Sequence, residues 1–242
     1  MAEEKFINTR QIIKRNGKNK LIEVNDYLES SAQDKTYAKL HGKYSKVRFL
    51  INDYSKGTGE SAVILSHNID AVKFKYAYER FHHLFKRTME IEEEIGIYSE
   101  MKKPTKGFEK RKEVLGKNPI YYEKKILPSF VKDASGKETQ YHPTSQIVIS
   151  YEPFMQGKPT RMPWTVMIAS GEAIAEKNTI GGTQIKSGTE KNVRRVKMFL
   201  ATEDMFAIMT QTIDYIRSWE NMAMQSLIPM RAKYEKSERN AH

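Results

Sequence analysis

The sequence predicts an α+β fold of two pseudo-repeated halves, each an antiparallel β-sheet followed by a long helix, joined by a basic linker. Three observations carry it. Residues 36–98 and 145–228 each read as strands, a turn cluster, a returning strand and an amphipathic helix. The stretch between them is broken by Pro104, Gly107, Gly116, Pro119, Pro128, Gly136 and Pro143, the punctuation of a connector. A shift of 135 residues lays the apolar stripe of the first helix on that of the second.

In the first half, residues 36–40 are a short strand candidate, and 44–51 alternate and are rich in β-branched and aromatic residues. The turn cluster 52–59 leads to a returning strand at 61–65. Asn68 then stands where a helix N-cap belongs, with Asp70 placed to complement the helix dipole. Ala71, Phe74, Tyr78, Phe81 and Phe85 follow at spacings of 3, 4, 3 and 4, one face of a helix expected to run on to Ile95.

In the second half, 146–151, 164–169 and 192–200 read as strands. Gly171, Gly181, Gly182 and Gly188 mark 171–189 as an inserted hairpin or loop. Thr202 is a cap candidate with Glu203 and Asp204 in the first turn, and Phe206, Met209, Ile213 and Ile216 form the stripe. The expected organisation is a basic N-terminal arm (1–35), a first half (36–99), a basic linker (100–143), a second half (144–228) and a C-terminal tail (229–242).

The 242 residues amount to between one and two ordinary domains at about 150 residues each. Lys and Arg number 41 against 30 Asp and Glu, a net charge of +11, which points to a polyanionic partner. Residues 1–20 carry +4, 100–132 carry +6 and 229–242 carry +2, while the remainder is close to neutral at −1. The excess therefore sits in arms and linker, where lysines gain by counterion release without fixed geometry.

The absence of cysteine excludes disulfides, thiolate catalysis and Cys-ligated metal sites. No apolar run is long enough to span a bilayer. No secretory signal is expected at the N-terminus, and a cytoplasmic location follows as the expectation. Glu79 and His82 have Glu-x-x-His spacing without a second such motif, and the acidic run Glu90, Glu92, Glu93 and Glu94 lacks a Gly-bearing ligand loop. Gly181-Gly182 lacks the Lys-Ser/Thr of a phosphate-binding loop. No catalytic residue, metal or cofactor is expected.

The candidate sites are cations and rings on strands. Period 2 puts Lys46, Arg48 and Leu50 on one side of a strand and Val47, Phe49 and Ile51 on the other. Arg195, Lys197 and Phe199 share a face opposite Arg194, Val196, Met198 and Leu200. An open sheet with cations and interleaved rings can stack bases at roughly 1–3 kcal/mol each while the cations meet phosphates. Tyr37, Tyr44 and Trp164 are the ring candidates, and Lys46, Arg48, Lys191, Arg194, Arg195 and Lys197 the strand cations. Lys102, Lys103, Lys106, Lys110, Arg111 and Lys112 are the linker cations.

KVRFLINDYSKGTGESAVILSHNIDAVKFKYAYERF and NVRRVKMFLATEDMFAIMTQTIDYIRSW give the chain a resemblance to the Whirly and Pur-alpha group of single-stranded nucleic-acid binders. It is a resemblance of architecture over roughly 36–96 and 145–226, with no diagnostic motif, and 171–189 departs from it as a long insertion. The resemblance implies binding of single strands on the sheet face and homo-oligomerisation through the helices. Single-stranded DNA is thus the expected partner, with RNA the near alternative and no membrane. A structural or protein-interaction subunit of a phage, plasmid or defence assembly is the competing expectation. A metal-dependent nuclease would need carboxylates such as Asp53, Glu60, Glu172 and Glu190 to be brought together.

Overall fold

The computed structural model describes residues 10–28, 45–57, 62–95, 119–152, 154–155 and 158–239. It is an α+β protein with two antiparallel sheets and two helices. The first sheet runs in the order β1 (Gln11–Asn16), β2 (Lys20–Tyr27), β3 (Lys46–Asp53), β4 (Val63–Asp70). Helix α1 (Ala71–Ile95) leaves β4 with no intervening residue. The second sheet is built from β5 (Tyr121–Ile126), β6 (Tyr141–Tyr151), β9 (Trp164–Lys177) and β11 (Lys191–Leu200), paired in that order. The small hairpin β7 (Phe154–Met155) and β8 (Lys158–Pro159) lies between β6 and β9. The overhanging end of β9 pairs instead with β10 (Thr183–Ile185), and helix α2 (Thr202–Arg239) follows β11.

Alternation decides which side of each strand is filled. Val47, Phe49 and Ile51 are buried on β3 and pair with Ile69, His67 and Leu65 of β4, so one face of the first sheet is continuous core. Ile147 and Ile149, Val166 and Ile168, and Val196 and Met198 build the same kind of face on the second sheet. The two filled faces and both helices share one hydrophobic core. Phe74 of α1 lies 5.9 Å from Phe49, and Phe81 reaches across to Trp164 of the second sheet, ring centroids 5.0 Å apart. Helix α2 crosses the other way: Asp204 pairs with Arg15 of β1 at 3.2 Å, and Tyr215 donates to Asp26 of β2 at 2.8 Å. Each helix thus touches the sheet it does not follow.

Several sequence expectations need correction. Residues 11–27, read as part of an arm, contribute β1 and β2, because Ile13, Ile22 and Val24 supply a buried face that an arm would waste. The linker 100–143 contains β5 and the start of β6. Asn68 is no N-cap: it lies inside β4 and accepts from Arg48, and the Ala71 N–H bonds to Ser45 O across the sheet. Phe206 is exposed; Met205 takes the buried position, and Phe206 lies 5.0 Å from Phe85. The tail is helical to Arg239. Residues 171–189 form the hairpin given as one option: its tip is fixed by Asn178, which accepts from the Gly182 N–H at 2.7 Å, and Gly181 takes φ +80°. The strand candidate at 36–40 lies outside the described residues.

Candidate nucleic-acid interface

The face of the second sheet opposite the core is organised in cross-strand rows. Tyr122 of β5 is followed by Val148, Met167 and Lys197 in one row. Lys124 is followed by Gln146, Ala169 and Arg195 in the next, and Ser150, Thr165 and Phe199 make a third. The floor therefore carries no charge, while cations and rings stand on the two outer strands. Tyr122 is 55% exposed, and Arg195 is exposed as well. Lys197 lies 4.8 Å from the centre of the Phe199 ring.

The strip between the two outer strands forms a trough that is bridged at one end. Lys124 and Glu190 close an ion pair at 2.6 Å although β6 and β9 lie between β5 and β11. Three strand spacings are about 14 Å in a flat sheet, and Glu190 also precedes Arg195 by five residues along the chain. The two side chains therefore reach toward each other over β6 and β9 and bridge this end of the face. At the same end Lys191 lies 3.4 Å over the Tyr141 ring and 3.6 Å from Glu172. A Cβ at Gly171 would meet Lys191 O and Val193 Cγ2, each at 3.1 Å, so the start of β11 crosses closely over this glycine.

The sequence candidates separate on this frame. Arg195 and Lys197 stand on the trough, with Lys197 also 3.2 Å from Glu152. Arg194 points the other way, in a row with Ser170, Ser145 and Lys125. Lys191 is at the closed end. Trp164 is a correction: it is 0% exposed and packed between Phe81 and Tyr151, so no base can reach its ring. Lys46 and Arg48 lie on the open face of the first sheet. The Arg48 guanidinium is already engaged: Nε donates to Asn68 Oδ1 at 2.9 Å, another nitrogen donates to Tyr27 OH at 2.7 Å, and the group lies 3.9 Å from the centre of the Tyr27 ring. Tyr37, Tyr44, Lys102, Lys103, Lys106, Lys110, Arg111 and Lys112 lie outside the described residues. Tyr122 and Lys124 were missed because they sit in the Pro- and Gly-broken stretch; the signal was the alternation Tyr122, Lys124, Ile126 against Tyr121, Glu123 and Lys125.

A second polar cluster lies between the sheets. His67 of β4, with no side-chain exposure, donates from Nε2 to Glu123 Oε2 at 3.0 Å, since an ionised carboxylate only accepts. Its Nδ1 is 2.9 Å from Ser145 Oγ, whose hydroxyl donates to Ser66 O at 3.0 Å. Lys73 and Tyr121 also donate to Glu123, and Lys125 is 3.2 Å from it. Burial pushes the Glu123 carboxyl up, but His67, Lys73, Lys125 and Tyr121 together outweigh it and hold the group well below the usual carboxylate range. Burial and the Glu123 charge push the Tyr121 hydroxyl well above its ordinary range. The hydrogen bond to Glu123 raises Lys73 against the opposing effect of burial. The cluster is a saturated junction of β4, α1, β5 and β6.

Among the described residues no three His, Asp or Glu side chains converge as metal ligands, so Asp53, Glu172 and Glu190 form no such group, and Glu60 lies outside the described residues. None of their helices is long and apolar enough to cross a membrane. Comparison of the chain with protein-family models, curated proteins and solved structures finds no match.

Proposed function

We propose that the protein binds single-stranded nucleic acid, with DNA the favoured form, in the trough of the second sheet and without a catalytic step. The supporting observation is the arrangement of the open face: Tyr122 on one outer strand, Arg195, Lys197 and Phe199 on the other, and an uncharged floor between them, with Lys124 held by Glu190 at the closed end. Rings of this kind stack on any base, and cations at the rims neutralise phosphates. The strand order is 1-2-3-4 in the first sheet, and the second has four strands in matching succession before its helix. That succession supports reading the chain as two ββββα units of the Whirly and Pur-alpha kind, with the basic segments outside the described residues adding backbone contacts. Oligomerisation through helix faces belongs to the same reading, and Val72 and Tyr76, one turn apart and exposed on α1, mark the face concerned.

The test is a titration of labelled single-stranded oligonucleotide against log salt. Wild type should bind with a steep slope. Arg195→Ala with Lys197→Ala should lower that slope by about 1.4, at 0.7 per phosphate contact. No detectable binding at low salt would leave the competing reading, a protein-interaction subunit.

A further inference from the structure

The trough does not end at β11. The β1–β2 turn of the first sheet lies against the outer edge of this strand. Lys20 Nζ donates to Lys197 O at 2.9 Å, and a Cβ on Gly17 would come within 3.2 Å of Met198 Cε. The turn after β3 is joined to the same place: Tyr54 N–H donates to Asn19 O at 3.1 Å, and Asp53 pairs with Lys20 at 3.0 Å. Both turns carry an exposed lysine, Lys18 on the first and Lys56 on the second. Turns from one sheet thus set their cations beside the strand that carries Arg195 in the other.

The acidic groups in this neighbourhood are mostly committed. Asp53 accepts from the Ser55 N–H and pairs with Lys20, and Glu152 pairs with Lys197. Asp204 pairs with Arg15, and Glu203 sits in the first turn of α2, where the helix dipole favours it. Lys18, Lys56 and Arg195 have no carboxylate partner among the described residues. Lys20 meanwhile holds the junction and blunts the free edge of β11, as lysines on edge strands do.

We propose that Lys18 and Lys56 form a second phosphate-binding subsite that carries a single strand out of the trough, over the edge of β11 and onto the turns of the first sheet. This rests on the trough reading and adds a direction to it. A short strand would occupy the trough alone, and a longer one would engage both. Each added phosphate contact contributes its own increment to the salt dependence.

The experiment compares labelled oligothymidylates of about 5 and about 15 nucleotides, within the range a single-strand site covers. The full-length chain is used as wild type, Lys18→Gln/Lys56→Gln and Arg194→Gln. The double variant should bind the longer strand several-fold more weakly, with a slope lower by about 1.4, and should bind the shorter strand as wild type does. Arg194→Gln, a charge change on the other face of β11, should alter neither. A double variant with an unchanged slope on the longer strand, while wild type binds, would overturn the subsite and leave the trough standing. Equal losses on both lengths would also overturn it, because the lysines would then belong to the trough itself. Absence of wild-type binding at either length would remove the trough reading along with the subsite.

Discussion

His67 on the last strand of the first sheet meets Glu123 on the first strand of the second at 3.0 Å, with both side chains out of solvent. The residues are 56 positions apart, and their contact joins the two sheets. Glu123 also takes Lys73 and Lys125, and removing the carboxylate from such a buried cluster leaves its donors uncompensated, at about 3–5 kcal/mol. Glu123→Gln keeps the shape and some hydrogen bonds, so a loss of about 3 kcal/mol is expected in denaturant titration. A loss below about 1 kcal/mol, the value of an exposed pair, would show that the contact does not hold the sheets.

The same carboxylate sets an acid limit. Its folded-state pKa is depressed, so its contribution is complete above the ordinary carboxylate range, about pH 4, and fades as pH falls below that range. Wild type should lose stability on acidification more steeply than Glu123→Gln between about pH 5 and 2. Parallel acid profiles would contradict this.

Phe81 couples the halves through the core. It is fully buried on α1 and lies 5.0 Å from Trp164 of β9. Phe81→Ala should cost about 3–5 kcal/mol and keep a single unfolding transition, followed by Trp fluorescence and far-UV circular dichroism together. Two separated transitions in wild type would mean that the sheets unfold independently.

Tyr122 stands at the rim of the trough with more than half of its surface open. Tyr122→Ala should weaken single-strand binding by roughly 1–3 kcal/mol, while Tyr122→Phe, which keeps a stacking ring, should bind nearly as wild type. Equal losses in both variants would assign the hydroxyl, and not the ring, to binding.

The sequence shows β3, β4, β9, β11 and the two helices because period 2 and the 3–4 stripe are imposed by burial on one side, whereas β1, β2 and β5 lie in stretches read as arm and linker. Val47, Phe49 and Ile51 on β3 and Phe74 and Phe81 on α1 are all fully buried. It shows poorly which side of a strand a lone ring takes. Trp164 opens β9, where alternation sets its parity with Val166 and Ile168, and that parity, not its ring, decides its burial. Asn68 resembled a cap because strand and helix abut with no loop between them. Tyr122 and Lys124 hid among prolines and glycines that turned out to flank a six-residue strand. The His67–Glu123 contact and the approach of Gly17 and Lys20 to β11 arise only from the docking of one sheet on the other, which local pattern does not encode.

Ultraviolet cross-linking of a bound single strand, with the attached residues mapped by mass spectrometry, tests the central claim most directly. Attachment is expected at Tyr122 and Phe199, the two rings that border the trough. Attachment confined to the first sheet's open face, around Tyr27, with Tyr122 and Phe199 unmodified, would contradict it.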